Sequence, residues 1–324
     1  MTATGVCPLG ARTAVVIATH AYCFPLEKCL SDFSVLVDDP RDVILVDNGS
    51  GGAITEWVKE VAPAITTLTR EINGFFCGGY NEGLQYTLDK GYEYALIVNA
   101  DTDVCNLEML HQLIDAANRH PRAAFIGPKV YFRDVGNVQN TVLTYPSFWR
   151  NLKAFLRYKL IGARPAASDH IEKEVDFLNG VCVLCRVEAL KEFGLLDETM
   201  GGYVEDTDWA WRAKVKGWNS LYTPVESIVH HQPDVGYEHY SLKSFMLRRN
   251  TIFWHHKCGR RIEAWLYGRS ARCVAWLRCN VARLRSRPDI EEFEKFSARL
   301  AAVDRAIRAN QPVSEWFGPP VGDW

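Results

Sequence analysis

The chain has 324 residues, of which 48% are hydrophobic and 23% are charged, and its formal net charge is -2. These values are ordinary for a folded protein and leave ample apolar material for one large domain, or for one domain with an appendage. No stretch is long and apolar enough to cross a bilayer, and the start lacks the features of a secretory signal. Together with ten cysteines, this predicts free thiols in a reducing compartment, and we expect the protein in the cytoplasm.

Short apolar runs alternate with helical patterns through the first half of the chain. The predicted strands are Thr13–Thr19, Val43–Val46, Ala95–Val98 and Phe125–Gly127. Amphipathic stretches such as Glu56–Val61 and Asn81–Lys90 lie between them. Continuous apolar strands separated by helices predict an α/β fold with a mainly parallel sheet that is covered on both faces. Ligands of such sheets bind at the carboxyl ends of the strands.

Polar and acidic residues follow two of these strands directly. The strand VILV runs into DNGS, and the strand ALIV runs into NADTD. Closely spaced carboxylates are hard oxygen ligands suited to Mg²⁺ or Mn²⁺, and such a metal offsets charge on a diphosphate leaving group. The metal pair is either Asn99 with Asp101 or Asp101 with Asp103. A structural role is equally open, in which Asp103 or Asn106 caps a helix over Leu107–Ala117.

The pattern weakens over Tyr145–Glu174, where prolines, a glycine and several basic residues predict a loop-rich excursion. A regular apolar pattern returns over Val175–Arg186. Within that segment Cys182 and Cys185 have the spacing of a redox or zinc pair, but VCVLC is typical of a strand, in which residues three apart point to opposite faces. With no second cysteine pair, we expect buried thiols.

An acidic cluster precedes the helical pattern Trp209–Lys216. Glu205, Asp206 and Asp208 occupy three of four consecutive positions, and a carboxylate in a partly dry site can accept the proton of an attacking hydroxyl. An acidic first helical turn, favoured by the helix dipole, is the structural alternative. Neighbouring tryptophans favour a site near buried aromatic surface. His230 ends a later apolar run, either as a metal ligand or, more commonly for such a histidine, in a structural role.

The C-terminal part of the chain is helical in pattern and basic. Eight arginines and one acid, Glu263, lie between Arg260 and Arg287, where tryptophan, leucine and valine recur at near-helical spacing. Residues 260–287 therefore fit an amphipathic helix at an anionic membrane surface. A helical pair with a solvated basic face, or a homodimer contact, explains the same pattern equally well.

Taken in order, these segments resemble the family 2 glycosyltransferases of the GT-A fold, especially their rhamnosyltransferase-like branch, from about Thr13 to Trp254. The matching segments are VVIATH, VDNGS, the stretch Asn73–Gly83, VNADTDV, FLNGVCVLCRVEALKEFGLLDE, YVEDTDWAWRAKVKGW and RRNTIFW. No single motif is specific, but their order and separations are. There are departures: Ala21 replaces a customary Asn, and Phe75 occupies a usual Gly position.

The resemblance implies a GT-A α/β fold with a Rossmann-like, mainly parallel sheet over residues 10–255, followed by a basic helical extension over 256–324. It implies an inverting, metal-dependent transfer of a sugar from a UDP- or dTDP-sugar to a hydroxyl acceptor, with Mn²⁺ or Mg²⁺ as the cofactor. The acceptor is expected in polysaccharide or glycoconjugate assembly, such as a lipid-linked glycan at the inner face of a membrane. An acceptor site beside the basic segment argues against a nucleic-acid partner.

The same resemblance implies roles for particular side chains. Asp206 is the expected catalytic base. The expected nucleotide-sugar-binding residues are Thr19, His20, Asp47, Asn73, Gly79, Asn81, Asn99, Asp101 and Glu205. The expected metal ligands are Asp101, as the principal one, Asp103 and His230.

Two other functions stay open. A nucleotidyltransferase on a similar fold would need a Gly-rich, basic triphosphate loop after the first strand, where this chain has ATHAYCFPLEK. A catalytically silent relative that binds nucleotide sugars or scaffolds an assembly is compatible with the altered motifs. The retention of both Asp101 and Asp206 argues against it.

Overall fold

The computed structural model describes residues 10–23, 25–161, 171–231, 242–284, 290–309 and 311. Contacts between Cα atoms divide the chain into two compact units. The first comprises Met1–Tyr145, Pro165–Gly201 and Glu205–Pro233, and the second comprises Pro146–Arg164, Gly202–Val204 and Asp234–Trp324. The predicted domain boundary between residues 255 and 256 stays a prediction.

The first unit is built on strands. In the described part of the chain these are β1 (Thr13–Thr19), β2 (Val43–Asn48), β3 (Thr66–Arg70), β4 (Tyr94–Asn99), β5 (Thr102–Val104), β6 (Ala123–Phe132), β7 (Val138–Gln139), β8 (Val142–Leu143), β9 (Lys173–Val175), β10 (Phe177–Leu178), β11 (Cys182–Arg186) and β12 (Asn219–His230). All but β8 and β10 belong to one sheet, whose main path is β3-β2-β1-β4-β11-β6-β12-β5. The first four strands on this path are parallel, β11 is antiparallel to both neighbours, and β12 is parallel to β6. The predicted α/β fold is confirmed, with a mixed sheet.

Helices connect the strands of the first unit and build the second. The α-helices of the described residues are α1 (Leu26–Leu36), α2 (Ala53–Val61), α3 (Phe75–Lys90), α4 (Met109–Arg119), α5 (Phe148–Ile161), α6 (Val187–Phe193), α7 (Glu205–Val215), α8 (Leu242–Lys257), α9 (Arg261–Leu284) and α10 (Ile290–Arg308). Of these, α5, α8, α9 and α10 lie in the second unit.

Both faces of β1 are covered because alternate residues of a strand point to opposite sides. Val15 and Ile17 join the core cluster that contains Phe33 of α1 and Leu113 of α4. Val16 points the other way, and its Cγ1 atom lies only 2.3 Å from where a Cβ atom on Gly83 would stand. The missing side chain of Gly83 therefore lets α3 pack directly on the sheet.

The carboxyl ends of β1, β2 and β4 lie side by side. Thr19 at the end of β1 is in register with Asp47, and Ala18 is in register with Asn99. The polar residues that follow these strands are therefore brought to one edge of the sheet, as the sequence predicts.

The prediction of a loop-rich excursion over Tyr145–Glu174 was wrong for part of its length. Residues Phe148–Ile161 form α5, because the stretch is rich in leucine, lysine and arginine, which are good helix formers. The flanking Pro146, Gly162 and Pro165 dominated the prediction. Residues 162–170 lie outside the described residues.

The helix predicted to follow the strand-end acids begins later than expected. It is α4, and the Oδ1 atom of Asn106 accepts a hydrogen bond of 3.0 Å from the backbone N–H of Glu108 just before it. Asp103 lies within β5, so it does not cap this helix. The expected buried thiols are confirmed: Cys182 and Cys185 on β11 are free, and burial raises the pKa of both.

Candidate active site

A cavity of about 790 Å³ opens at the carboxyl ends of β1, β2 and β4. All of its lining residues belong to the first unit. They are Ala18, Thr19, His20, Cys23, Pro25, Lys28, Asn48, Asn73, Phe75, Phe76, Tyr80, Asn99, Ala100, Asp101, Asp103 and His231. Its size and its position at the strand ends are those of a small-molecule site in an α/β protein.

The strand-end loop after β1 supplies two of the predicted residues to this cavity. The hydroxyl of Thr19 donates a hydrogen bond of 2.6 Å to the carbonyl of Ala21. The Nδ1 atom of His20 lies 3.2 Å from the carbonyl oxygen of Asn48, while its ring is exposed. An exposed ring at the mouth of the cavity is free to stack on a planar ligand.

Asn48 is a site residue that the sequence analysis quoted but did not select. Its amide donates to the carbonyl of Phe75 at 2.8 Å and to Asn73 Oδ1 at 3.2 Å, and its Oδ1 atom accepts from the N–H of Gly74 at 3.0 Å. It thereby ties the end of β2 to the start of α3. Phe75 has a left-handed φ of 54°, which explains why glycine is usual at this position.

Asp47 is not brought to the cavity. Its side chain is fully buried, and its carboxylate accepts hydrogen bonds from the N–H of Ser50 and from both the N–H and the hydroxyl of Thr55. Desolvation acts to raise the pKa of this group, but the hydrogen bonds from Ser50 and Thr55 outweigh it and lower the pKa. Its expected role in binding the nucleotide sugar stays a prediction, and in this structure the carboxylate orders its own loop.

Replacing Asp47 with Asn should destabilise the fold by about 1–3 kcal/mol, because an amide nitrogen cannot accept the bonds that Ser50 or Thr55 donates. The lowered pKa means that the carboxylate stabilises the protein above the unfolded pKa and loses this effect as pH falls through the folded pKa. Urea unfolding at neutral pH and near pH 3 measures the difference, which should shrink in acid. The exposed Asp115→Asn is the matched control, and equal stability of both variants would contradict the assignment.

Gly79 and Asn81 also lie away from the cavity lining, although both were expected to bind the nucleotide sugar. A Cβ atom on Gly79 would lie 2.8 Å from the amide nitrogen of Asn48, so this glycine makes room for the asparagine. Asn81 is buried and exchanges two hydrogen bonds of 2.9 Å with the backbone of Leu196. Both residues thus shape the surroundings of the site.

Two acid–histidine pairs stand at the edge formed by β5 and the end of β12. Asp101 Oδ1 lies 3.3 Å from His230 Nε2, and Asp103 Oδ2 lies 3.0 Å from His231 Nε2. His230 is buried and does not line the cavity, and its Nδ1 atom lies 2.9 Å from Gln139 Oε1. His231, which the sequence analysis did not select, does line it. Because neighbouring strand residues point to opposite sides of a sheet, the sequence could have indicated that only one of these two adjacent histidines faces the cavity.

The same edge of the sheet carries the donor atoms of a metal site. Within the described part of the chain, no three His, Cys, Asp or Glu side chains are already grouped around one point. The donor set nevertheless fits a hard divalent cation, because Asp101 and Asp103 present two carboxylates to the same cavity. Asn99 lines the cavity beside them, with its Nδ2 atom 3.4 Å from His230 Nε2.

A second, apolar cavity holds the predicted base. It is lined by Phe76, Ile97, Phe125, Leu178, Gly180, Val183, Leu196, Glu205, Asp206, Trp209 and Ala210. Phe76 lines both cavities, so the strand-end cavity and the cavity of Asp206 share one aromatic side chain. The expectation that the acids of α7 lie near buried aromatic surface agrees with Trp209 and Phe125, whose ring centroids are 4.6 Å apart.

The two acids at the start of α7 differ in their surroundings. Burial raises the pKa of Asp206 to about 6, even though its Oδ1 atom accepts a 2.7 Å hydrogen bond from the N–H of Thr207. Glu205 is only 7% exposed, and its Oε2 atom has no hydrogen-bond partner among the described residues. Burial, followed by the charge of Asp206, raises the pKa of Glu205 well above its ordinary value. Of the two acids, Glu205 is therefore the one whose ionisation burial opposes more strongly, and the negative charge is favoured on Asp206.

The backbone just before these acids is held in an unusual conformation. Tyr203 and Val204 have φ values of 65° and 74°, which non-glycine and especially β-branched residues rarely adopt. Within the second unit, the amide of Asn250 donates to the carbonyls of Gly202 and Tyr203 at 2.8 and 2.7 Å. Asn250, in the segment RRNTIFW, is a further residue that the sequence analysis quoted without assigning a role.

Comparison with solved structures identifies the fold. The chain aligns with GalNAc-T7, solved with UDP, GalNAc and Mn²⁺, at a TM-score of 0.55 and 14% identity, covering 76% of this chain and 48% of that one. It also aligns with the mannosyltransferase PcManGT of Pyrobaculum calidifontis, solved with GDP-Man and Mn²⁺, at a TM-score of 0.51 and 16% identity, covering 93% of this chain and 88% of that one. The chain thus has the GT-A glycosyltransferase fold.

Comparison of the sequence identifies the family within this fold class. The model described as "Glycosyltransferase like family 2" matches residues 12–248, and the chain belongs to that family. The N-acetylglucosaminyl-diphospho-decaprenol L-rhamnosyltransferase of Mycobacterium tuberculosis is 26% identical over 273 residues, covering 74% of this chain and 85% of that protein. The low-salt glycan biosynthesis hexosyltransferase Agl10 of Haloferax volcanii is 24% identical over 237 residues, covering 70% and 73%. The rhamnosyltransferase-like resemblance is confirmed.

Proposed function

We propose that the protein transfers a sugar from a nucleoside diphosphate donor, a UDP- or dTDP-sugar, to a hydroxyl acceptor with inversion at the anomeric carbon. One observation carries the proposal. A strand-end cavity with two carboxylates, Asp101 and Asp103, shares the side chain of Phe76 with a cavity that holds Asp206. A donor site and a base are therefore adjacent but distinct, as a single displacement requires.

The donor is assigned to the larger cavity. The exposed ring of His20 is suited to stack on the nucleobase, with Thr19, Asn48 and Asn73 around it. Asp101 and Asp103 would hold Mn²⁺ or Mg²⁺, with His230 fixing Asp101 from behind. When bound, the metal would offset negative charge on the diphosphate as it leaves.

Asp206 is assigned as the general base. The ionised carboxylate accepts the proton of the acceptor hydroxyl as that oxygen attacks the anomeric carbon. The new C–O bond forms on the face opposite the breaking bond to phosphate, so the nucleoside diphosphate leaves with the bonding electron pair and the configuration inverts. Burial raises the pKa of Glu205, which favours placing the negative charge of the pair on Asp206.

The acceptor is assigned by analogy with the relatives. The M. tuberculosis protein is named for an N-acetylglucosaminyl-diphospho-decaprenol acceptor, and the H. volcanii protein for glycan biosynthesis. We therefore assign a lipid-linked glycan as the acceptor, and polysaccharide or glycoconjugate assembly at the cytoplasmic face of a membrane as the setting.

Calorimetry with UDP-, dTDP- and GDP-sugars, with and without Mn²⁺, tests the donor assignment. We expect one nucleotide class to bind in a metal-dependent manner. Asp101→Asn should weaken that binding by about 10–100-fold, because a charge-assisted interaction is lost. The exposed Asp115→Asn should bind like the wild type. Absence of binding by every sugar with metal present would contradict the donor site, and binding without transfer would favour the silent relative.

A further inference from the structure

Helix α9 exposes large apolar side chains along one side. Ile262 is 73% exposed, Trp276 is 61% exposed and Leu284 is 86% exposed. At about 100° per residue, these three fall with Trp265 and Leu277 within an arc of about 120°. These five side chains, which we name the α9 face, form an apolar stripe along a helix about 36 Å long, and by the same rotation Arg269 and Asn280 fall within its arc.

The opposite side of α9 is buried and consists of small residues. Ala264, Ala275 and Cys279 are buried, and α9 packs against α8 and α10. A surface helix of a globular protein normally buries its large apolar residues and exposes polar ones. In α9 this arrangement is reversed, because the largest apolar side chains point outward.

The charge of α9 is almost entirely positive. The helix contains five arginines and one acid, Glu263, whose Oε2 atom accepts a 2.8 Å hydrogen bond from the N–H of Phe148 in α5. The guanidinium of Arg269 lies 5.2 Å from the ring centroid of Trp265 within the stripe. Tryptophan and arginine together are typical of helices that lie in the interface of an anionic bilayer.

A small cavity lies beside the first turns of α9. It has a volume of about 190 Å³ and is lined by Ile252, His256, Arg261, Ala264, Trp265, Gly268, Leu300 and Ile307. Most of this lining is apolar, and the guanidinium of Arg261 stands at one side. This combination suits the hydrocarbon chain and the anionic headgroup of a lipid. A nucleic-acid backbone is polar and has no apolar group that would pack against the α9 face.

We infer that the α9 face binds the surface of an anionic lipid bilayer, with α9 lying in the plane of the interface. No helix in the described part of the chain is long and apolar enough to cross a membrane. The arginines select negatively charged headgroups, and the stripe enters the boundary between headgroups and hydrocarbon. The inference does not depend on the proposed sugar transfer.

Co-sedimentation of the full chain with phosphatidylcholine vesicles, with and without phosphatidylglycerol, tests this inference. We expect binding only to the phosphatidylglycerol vesicles, with salt weakening it. The double variant Trp265→Ala with Trp276→Ala should lose at least about tenfold in binding, through the loss of two large apolar side chains. Arg261→Glu with Arg269→Glu should bind as weakly. Trp149→Ala on α5, where the side chain is 60% exposed, is the matched control and should bind normally.

Circular dichroism and Tm show whether each variant is folded, and only folded variants count. Failure of the wild type to sediment with phosphatidylglycerol vesicles would overturn the inference, as would normal binding by the double tryptophan variant. A tryptophan-dependent dimer on size-exclusion chromatography, without vesicle binding, would reassign the α9 face to a second copy of the chain. Because no nucleotide is used, these outcomes are independent of the donor experiment.

Discussion

Replacing Asp206 with Asn should lower kcat by about 10²–10⁴-fold while leaving the calorimetric affinity for the donor unchanged. The substitution keeps the size and shape of the side chain but removes the group that accepts the proton of the acceptor hydroxyl. The rate is measured as the release of nucleoside diphosphate from the donor found by calorimetry. The first acceptor to use is an N-acetylglucosaminyl-diphospho-lipid.

Glu205→Gln is the matched control for that experiment. Burial and then the charge of Asp206 raise the pKa of Glu205 and so favour its neutral form, and glutamine is a neutral side chain of the same shape. This variant should therefore retain most of the wild-type rate. The opposite pattern, with Glu205→Gln inactive and Asp206→Asn active, would assign the base to Glu205. Full activity of both variants would remove the base from this part of the chain.

The rate of the wild-type protein should fall about tenfold per pH unit below pH 6. Burial raises the pKa of Asp206 to about 6, so protonation removes the base form well above the pH at which an exposed aspartate would be protonated. The pH profile of kcat/KM between about pH 4.5 and 8 measures this limb, with donor affinity measured at each pH as the control. Glu205→Gln should keep the limb near pH 6, and a limb near pH 4 would contradict the buried-base assignment.

The parts of the fold that were predicted best are those in which local pattern and burial agree. β1 was predicted to the residue, because an unbroken apolar run between polar segments has few other structures open to it. β12 was seen only at its end, since Pro224 and Glu226 interrupt the apolar pattern across its 12 residues. α5 was missed because prolines and a glycine beside it outweighed its helix-forming composition.

In the candidate site, the sequence located the strand ends but not the direction of each side chain. Asp101 and Asp103 were expected at the site and do line the cavity, because strand order alone brings them there. Asp47 was expected there too, but its carboxylate turns toward Ser50 and Thr55, residues whose positions depend on how the loop closes. Hydrogen bonds between distant segments, such as those of Asn250, have no local signature.

The left-handed pair Tyr203 and Val204 has a consequence for the durability of the protein. Each such residue costs roughly 1–2 kcal/mol, and Asn250 donates hydrogen bonds to the carbonyls of Gly202 and Tyr203 beside this turn. Selection of variants for heat resistance alone should therefore favour glycine at residues 203 and 204. Glycine relieves the strain but allows many backbone conformations. The more heat-resistant variants would therefore lose the fixed backbone that precedes Glu205 and Asp206. Heat resistance and a fixed backbone before the two acids therefore make opposite demands on residues 203 and 204.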